Sequence, residues 1–195
     1  MFPTSPATAT LPSSFDSRIL PTVFETALDF TLRRETGGTK ADGYRAGALH
    51  TDPKDPGRTT KYGIAERFHR GLDIAGLTLA DATLIYWREY WLAGQCERLT
   101  PKAAMAHFEA CVNPGIDAAS RILQVVVGAS PDGIVGDRTI HAVNRFVVTR
   151  GDSALAGEII SRRIVYFAAD KDFPTYGLGW VRRCVSLAAL VNCTT

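Results

Sequence analysis

The feature that most restricts the fold is one segment, residues 36–63, where the helical spacing found almost everywhere else breaks down. This segment is rich in Gly, Pro, Asp and Thr, and its best strand candidate is TTKYGI at residues 59–64. Such a composition favours turns and a short hairpin over a helix. The sequence therefore predicts a mainly α chain, a helical bundle with one small β-hairpin region near the N-terminal helix.

Helical patterns lie on both sides of this segment. The first covers residues 21–35, where Phe24, Leu28 and Leu32 recur at helical spacing before Gly37-Gly38 ends the pattern. Beyond Leu77 the sequence predicts further helices over residues 79–93, 101–112, 117–127, 137–149, 152–169 and 173–190. Asn113-Pro114-Gly115 and Asp132-Gly133 supply breaks between them.

Composition and charge limit the possible partners. The chain has 195 residues, of which 46% are hydrophobic and 22% charged, as in ordinary globular proteins. A net charge of +2 is too small for the strong basic surface that nucleic-acid binding requires, so we expect no nucleic-acid partner. Residues 1–20, rich in Pro, Ser, Thr and Ala, are predicted to form a flexible arm.

The N-terminal residues do not have the pattern of a secretory signal. MFPTSPATAT carries no basic start and no apolar stretch, so we expect no signal peptide and a protein that begins in the cytoplasm. No segment holds eighteen consecutive apolar residues, so no stable membrane insertion is expected.

The cysteines and histidines do not form a familiar metal or redox motif. Cys96, Cys111, Cys184 and Cys193 include no CxxC pair, and the four histidines include no HExxH pattern. We therefore predict no metal and no cofactor, and we interpret the cysteines as small buried apolar residues. Their spacing leaves the existence of a disulfide open.

Glu35 is the strongest candidate for acid chemistry. It continues the apolar face of the first helix and stands in the last turn of that helix. Burial disfavours a charged carboxylate, and so does the partial negative charge at a helix C-terminus. A carboxyl group that keeps its proton for these reasons can donate it to a leaving-group oxygen.

The residues that follow Glu35 resemble a known family. The resemblance begins with Glu35-Thr36-Gly37-Gly38 and the stretch DPKDPGRTTKYGI at residues 52–64, and it continues with IYWREYW at 85–91 and FEACVNPG at 108–115. These motifs are similar to those of glycoside hydrolase family 108, the phage and bacterial N-acetylmuramidases. The motifs Leu123-Gln124, DGIVGDRT at 132–139 and GWVRR at 179–183 are similar to a peptidoglycan-binding region often attached to that family.

The resemblance implies a fold, a domain order and a set of roles. It implies a lysozyme-like α+β fold, with a catalytic region over residues 21–115 and a peptidoglycan-binding-type region over 116–195 packed in the same globule. It implies an N-acetylmuramidase that cleaves the β-1,4 bond between N-acetylmuramic acid and N-acetylglucosamine. Glu35 is the expected general acid, and the other expected site residues are Asp55 and Thr60 (catalytic) and Tyr44, Tyr62, Glu109 and Asn113 (substrate-binding).

Several alternatives stay open. Asp55 also suits a turn, Thr60 a strand, Tyr62 a core position, and Glu109 and Asn113 a helix cap or a buried hydrogen bond. A lytic transglycosylase would share the acid and the substrate, and a related fold that cleaves chitin or a non-enzymatic wall-binding module would also suit the motifs. The resemblance further implies a monomeric phage endolysin that waits in the host cytoplasm and reaches the peptidoglycan glycan strands after holin action.

Overall fold

A computed structural model describes residues 20–51 and 59–194. Residues 1–19 of the predicted arm and residues 52–58 of the DPKDPGRTTKYGI stretch, including Asp55, lie outside these residues. The chain divides into two compact units, with the boundary between Tyr86 and Trp87. The described residues are mainly helical with one small sheet, as the sequence predicts.

The first unit starts with the predicted N-terminal helix. Helix α1 (Thr22–Thr36) buries an apolar face that includes Phe24, Leu28 and Leu32. Gly37 ends it in the left-handed conformation, with φ 66, and its N–H donates to the carbonyl of Arg33. A short helical turn, α2 (Gly43–Gly47), follows.

A three-stranded antiparallel sheet occupies the segment where the helical spacing fails. Its strands are β1 (His50–Thr51), β2 (Thr59–Lys61) and β3 (Ile64–Ala65), in the order β1-β2-β3. Strands β2 and β3 are joined by Tyr62-Gly63, with Lys61 paired to Ile64. Both loop residues have positive φ, 51 and 81, as a two-residue hairpin turn that matches strand twist requires. Helix α3 (Leu79–Tyr86) completes this unit.

The second unit is a bundle of helices. A π-helical turn (Trp87–Leu92) follows α3 directly, so the predicted helix over residues 79–93 changes its winding at Trp87. The α-helices of this unit are α4 (Pro101–Val112), α5 (Ile116–Val127), α6 (Asp137–Arg150), α7 (Asp152–Ala168) and α8 (Phe173–Cys193). Helix α4 packs against α5, α7 and α8, and every residue from Ala103 to Cys111 is buried. No helix among the described residues is long and apolar enough to span a bilayer.

The motif Leu123-Gln124 with residues 132–139 is explained by a hydrogen-bond network. The buried Gln124 side chain donates to Asp132 at 2.6 Å and to the carbonyl of Ile134 at 2.9 Å, and it accepts from the N–H of Gly133 at 2.9 Å. One side chain of α5 thus fixes the loop that leads into α6. Buried polar groups are costly unless they are satisfied in this way.

Candidate active site

The predicted acid, Glu35, occupies the last full turn of α1 and is exposed. Our expectation that it is buried with the apolar face of the helix is therefore wrong. The reason is local: Thr31 and Leu32, one turn earlier, are the last residues of α1 that the core covers. A carboxyl group at this position is accessible to a large substrate.

The tip of the β2–β3 hairpin lies against the Glu35 side chain. A methyl group added at Gly63 would lie 2.9 Å from both Cβ and Cγ of Glu35 and 2.5 Å from Oη of Tyr86. Any residue larger than glycine would therefore have to displace one of these side chains. The position also needs φ 81, which side chains disfavour. Gly63 thus belongs to the candidate site, although the sequence predicted no role for it beyond its place in the DPKDPGRTTKYGI stretch.

Two buried tyrosines, Tyr62 and Tyr86, support this hairpin. Tyr86, at the end of α3, donates a hydrogen bond of 3.1 Å to the carbonyl of Tyr62. The Tyr62 ring is only 7% exposed, and Gly47 approaches it so closely that a side chain there would overlap its hydroxyl group. Tyr62 therefore presents no open ring face for a sugar, and the predicted stacking role is replaced by a supporting one.

Tyr44 has a similar position. It is 4% exposed, and its hydroxyl group donates to Oδ1 of Asp29 on α1 at 2.8 Å. Burial and then the Asp29 carboxylate raise the pKa of Tyr44 well above its ordinary value. The ring thus ties the α2 turn to α1, and its burial contradicts the prediction that it stacks on a sugar.

The second catalytic candidates are only partly described. Thr60 lies at the centre of the sheet, opposite His50 on β1 and Ala65 on β3, and is half-buried. Its strand position agrees with the alternative that threonine serves the sheet. Asp55 lies outside the described residues, so its catalytic role stays a prediction.

Glu109 belongs to the core of the second unit. It is fully buried, with Arg163 at 2.9 Å and Arg183 at 2.6 Å from its two carboxylate oxygens. Burial alone would raise the pKa of Glu109, but the guanidinium groups of Arg183 and Arg163 outweigh this and hold it below its ordinary value. A carboxylate enclosed in this way cannot contact substrate, so the predicted binding role is wrong. Asn113 is half-buried at the end of α4, where its N–H caps the carbonyl of Glu109.

A buried cluster in the second unit was not anticipated from the sequence. Cys96, His107 and Cys111 place their ligand atoms within 4.8 Å of one another. Burial opposes ionisation of Cys111, but its neighbours Cys96 and His107 outweigh burial and lower the pKa of Cys111 to about 5. The spacing of His107 and Cys111, four residues apart on one helix, was the signal that could have revealed the cluster.

Comparison with known proteins finds a similar structure and two family models that each match part of the chain. SagA of Brucella abortus has a similar fold, with a TM-score of 0.70 and 24% identity over 87% of this chain and 93% of the SagA chain. The class is therefore a mainly helical, lysozyme-like fold. Residues 29–115 match the family described as Glycosyl hydrolase 108, and residues 118–185 match the Predicted Peptidoglycan domain.

The two matches together support a glycoside hydrolase that acts on peptidoglycan. None of the curated proteins compared with this chain matches.

Proposed function

We propose that the protein is an N-acetylmuramidase in which Glu35 protonates the leaving oxygen of the β-1,4 bond between N-acetylmuramic acid and N-acetylglucosamine. The position of Glu35 carries the proposal: an exposed carboxyl group at a helix C-terminus, supported by the Tyr62-Gly63 hairpin, within the region that matches Glycosyl hydrolase 108. A glycan bound over this group would exclude water from it.

The reaction needs a second group on the opposite face of the sugar. In our proposal Glu35 gives its proton to the glycosidic oxygen while the bond to C1 breaks; water then adds to C1 and releases a proton to solvent, from which Glu35 is reprotonated. Asp55 or Thr60 positions that water or stabilises the positive charge on the sugar. Observing by NMR which anomer forms first, in wild type and in the Asp55→Asn and Thr60→Ala variants, shows the face of attack and which residue directs it.

The decisive experiment is substitution of Glu35 by Gln, assayed on purified peptidoglycan. Glu25→Gln is the matched control, because Glu25 is exposed in the first turn of the same helix. We expect Glu35→Gln to lower turnover roughly 100- to 10,000-fold, as loss of a general acid does, and Glu25→Gln to leave it unchanged. Wild-type turnover in Glu35→Gln would refute the assignment of the acid.

Product analysis separates hydrolysis from its main alternative. A lytic transglycosylase uses the same acid and substrate but closes a 1,6-anhydro ring instead of adding water. Mass spectrometry of the digest distinguishes the two, because the hydrolysed product is heavier by one water. We expect reducing N-acetylmuramic acid ends.

We also propose that residues 21–115 form the catalytic region, that residues 116–195 bind the cell wall, and that residues 1–20 form a flexible arm. An aromatic group on α7 and α8 supports wall binding: the Trp180 ring stacks on Phe167 at 5.0 Å and lies 6.0 Å from Tyr176, which is 59% exposed. Exposed aromatic rings suit the flat faces of sugars. Tyr176→Ala should weaken sedimentation with purified cell walls, whereas Val148→Ala, at the very exposed Val148 on α6, should not.

The biological setting that we propose is a monomeric phage endolysin that leaves the host cytoplasm through a holin lesion and acts in the periplasm. It rests on the resemblance alone. Expression in bacteria with and without a holin tests it: we expect lysis only with the holin. Lysis without a holin would point to another route to the wall.

A further inference from the structure

The cluster of Cys96, His107 and Cys111 is not used by the proposed reaction. His107 and Cys111 lie one turn apart on α4, and Cys96 begins the short 3-10 turn that precedes this helix. All three are buried, and one nitrogen and two sulfur atoms lie within 4.8 Å of one another. A metal bound at about 2.0 to 2.3 Å from each donor holds such atoms about 3.5 to 4 Å apart. Side-chain shifts of about 1 Å would therefore bring the three donor atoms to the spacing found around one ion.

The two ring nitrogens of His107 have different surroundings. Its Nε2 lies 3.0 Å from the carbonyl oxygen of Gly94, so Nε2 carries the proton and donates it there. The Nδ1 atom then presents its lone pair, and it is buried without a hydrogen-bond partner among the described residues. Buried polar nitrogens are rarely left in this state. A histidine that binds a metal through one ring nitrogen usually donates from the other nitrogen to a carbonyl or carboxylate oxygen, and the hydrogen bond to Gly94 supplies such a partner.

The backbone of Gly94 packs closely against both sulfur atoms of the cluster. A methyl group at Gly94 would lie 2.7 Å from Sγ of Cys111 and 3.3 Å from Sγ of Cys96. The same residue accepts the hydrogen bond from His107. One backbone segment therefore sets the orientation of the imidazole and encloses both sulfur atoms.

We propose that Cys96, His107 and Cys111 bind one thiophilic metal ion, and that this ion is Zn²⁺. The donor set of two sulfurs and one imidazole suits closed-shell, thiophilic ions rather than Mg²⁺ or Ca²⁺. The net charge of the complex favours Zn²⁺ over Cu⁺. Two thiolates and a neutral imidazole carry a charge of −2, which Zn²⁺ neutralises and Cu⁺ does not. A neutral complex is the one least costly to bury. This proposal replaces our expectation, from the lack of familiar motifs, that the chain binds no metal.

The site would have a structural role. It joins the 3-10 turn at Cys96 to helix α4, around which α5, α7 and α8 pack. Binding releases the protons of the two thiols and crosslinks segments that are separated along the chain. An ion that binds only the folded chain raises the unfolding temperature as its concentration increases.

The full-length protein, purified with a reductant and stripped by a chelator, tests the proposal. We expect Co²⁺, used as a coloured substitute for Zn²⁺, to give thiolate-to-metal charge-transfer absorption that saturates at about one ion per chain. Zn²⁺ should displace the cobalt and raise the unfolding temperature. Cys96→Ser, His107→Asn and Cys111→Ser should each weaken binding at least roughly 100-fold. Cys193→Ser and His141→Ala, at exposed positions, should bind like wild type.

Because the wild-type chain itself is titrated, poor folding of a variant does not prevent a decision. A folded, reduced wild type that shows neither charge-transfer absorption with Co²⁺ nor a thermal shift with Zn²⁺ or Cu⁺ overturns the site. Binding of Cu⁺ without Zn²⁺ retains the three ligands but overturns the assignment of the ion. A Cys96–Cys111 disulfide found by mass spectrometry after purification without a reductant, with no metal bound, shows a redox pair and also overturns it.

Discussion

Two glutamates place the same side chain in opposite environments. Glu35, at the end of α1 in the first unit, is exposed and lies against a hairpin glycine. Glu109, on α4 in the second unit, is fully buried between Arg163 and Arg183. The buried carboxylate of Glu109 links α4 to α7 and α8 through its two arginine partners. An exposed carboxyl group can instead contact a substrate. The solvent accessibility of the carboxyl group therefore separates the structural Glu109 from the candidate acid Glu35 in this chain.

Glu109→Gln should have the largest effect on stability. The amide keeps the shape of the side chain but removes its charge, which leaves Arg163 buried without a compensating anion. We expect the free energy of unfolding to fall by about 3 to 5 kcal/mol, measured by urea denaturation. Glu35→Gln should change it by less than about 0.5 kcal/mol because the side chain is exposed. Equal losses in the two variants would remove the contrast between the two glutamates.

Acid should weaken the Glu109 cluster in a defined direction. Its folded pKa is lower than the ordinary value of 4.5, so the unfolded chain takes up the proton first as the pH falls. The stabilisation is complete above the unfolded pKa and is lost as the pH falls through the folded one. The stability difference between wild type and Glu109→Gln should therefore shrink below about pH 4.5. A difference that stays constant down to the acid transition would contradict the depressed pKa.

Gly63→Ala should disturb the first unit through the hairpin tip. The new methyl group meets Glu35 and Tyr86 at a positive φ, so we expect a loss of about 2 to 4 kcal/mol. Displacing Glu35 should also lower turnover. Gly128→Ala is the matched control in the second unit, because Gly128 has φ 70 and an added methyl group would meet no other part of the described chain within 4 Å.

That control should lose only about 1 to 2 kcal/mol and retain full turnover. If the two alanine variants lose the same stability and both stay active, the close approach of Gly63 to Glu35 contributes neither to stability nor to turnover.

The helices were predictable because each has a local signal. Gly37 after α1 and Asn113-Pro114-Gly115 between α4 and α5 mark helix ends as the structure shows them. The sheet was predictable as a region, and the Tyr62-Gly63 turn agrees with the strand candidate at residues 59–64. These features depend on neighbours in sequence, which a single chain displays directly.

The site was harder to predict because burial is not a local property. Helical spacing placed Glu35 on the apolar face, but the core ends one turn earlier. Glu109 pairs with Arg163 and Arg183, which lie 54 and 74 residues away, so no local pattern indicated its partners. Tyr44 and Tyr62 have the side chains of sugar-binding residues, and only the packing around them shows that Tyr62 supports the hairpin and Tyr44 ties the α2 turn to α1.

Tyr44→Phe gives the smallest expected effect and sharpens the same contrast between support and substrate contact. The substitution keeps the buried ring and removes only the hydroxyl group that donates to Asp29 at 2.8 Å. We expect a loss of about 1 kcal/mol in the free energy of unfolding and an unchanged KM for peptidoglycan. Tyr176→Phe, at an exposed ring in the second unit, should cost less than about 0.5 kcal/mol. A raised KM in Tyr44→Phe with unchanged stability would mean that the hydroxyl group serves the substrate rather than α1.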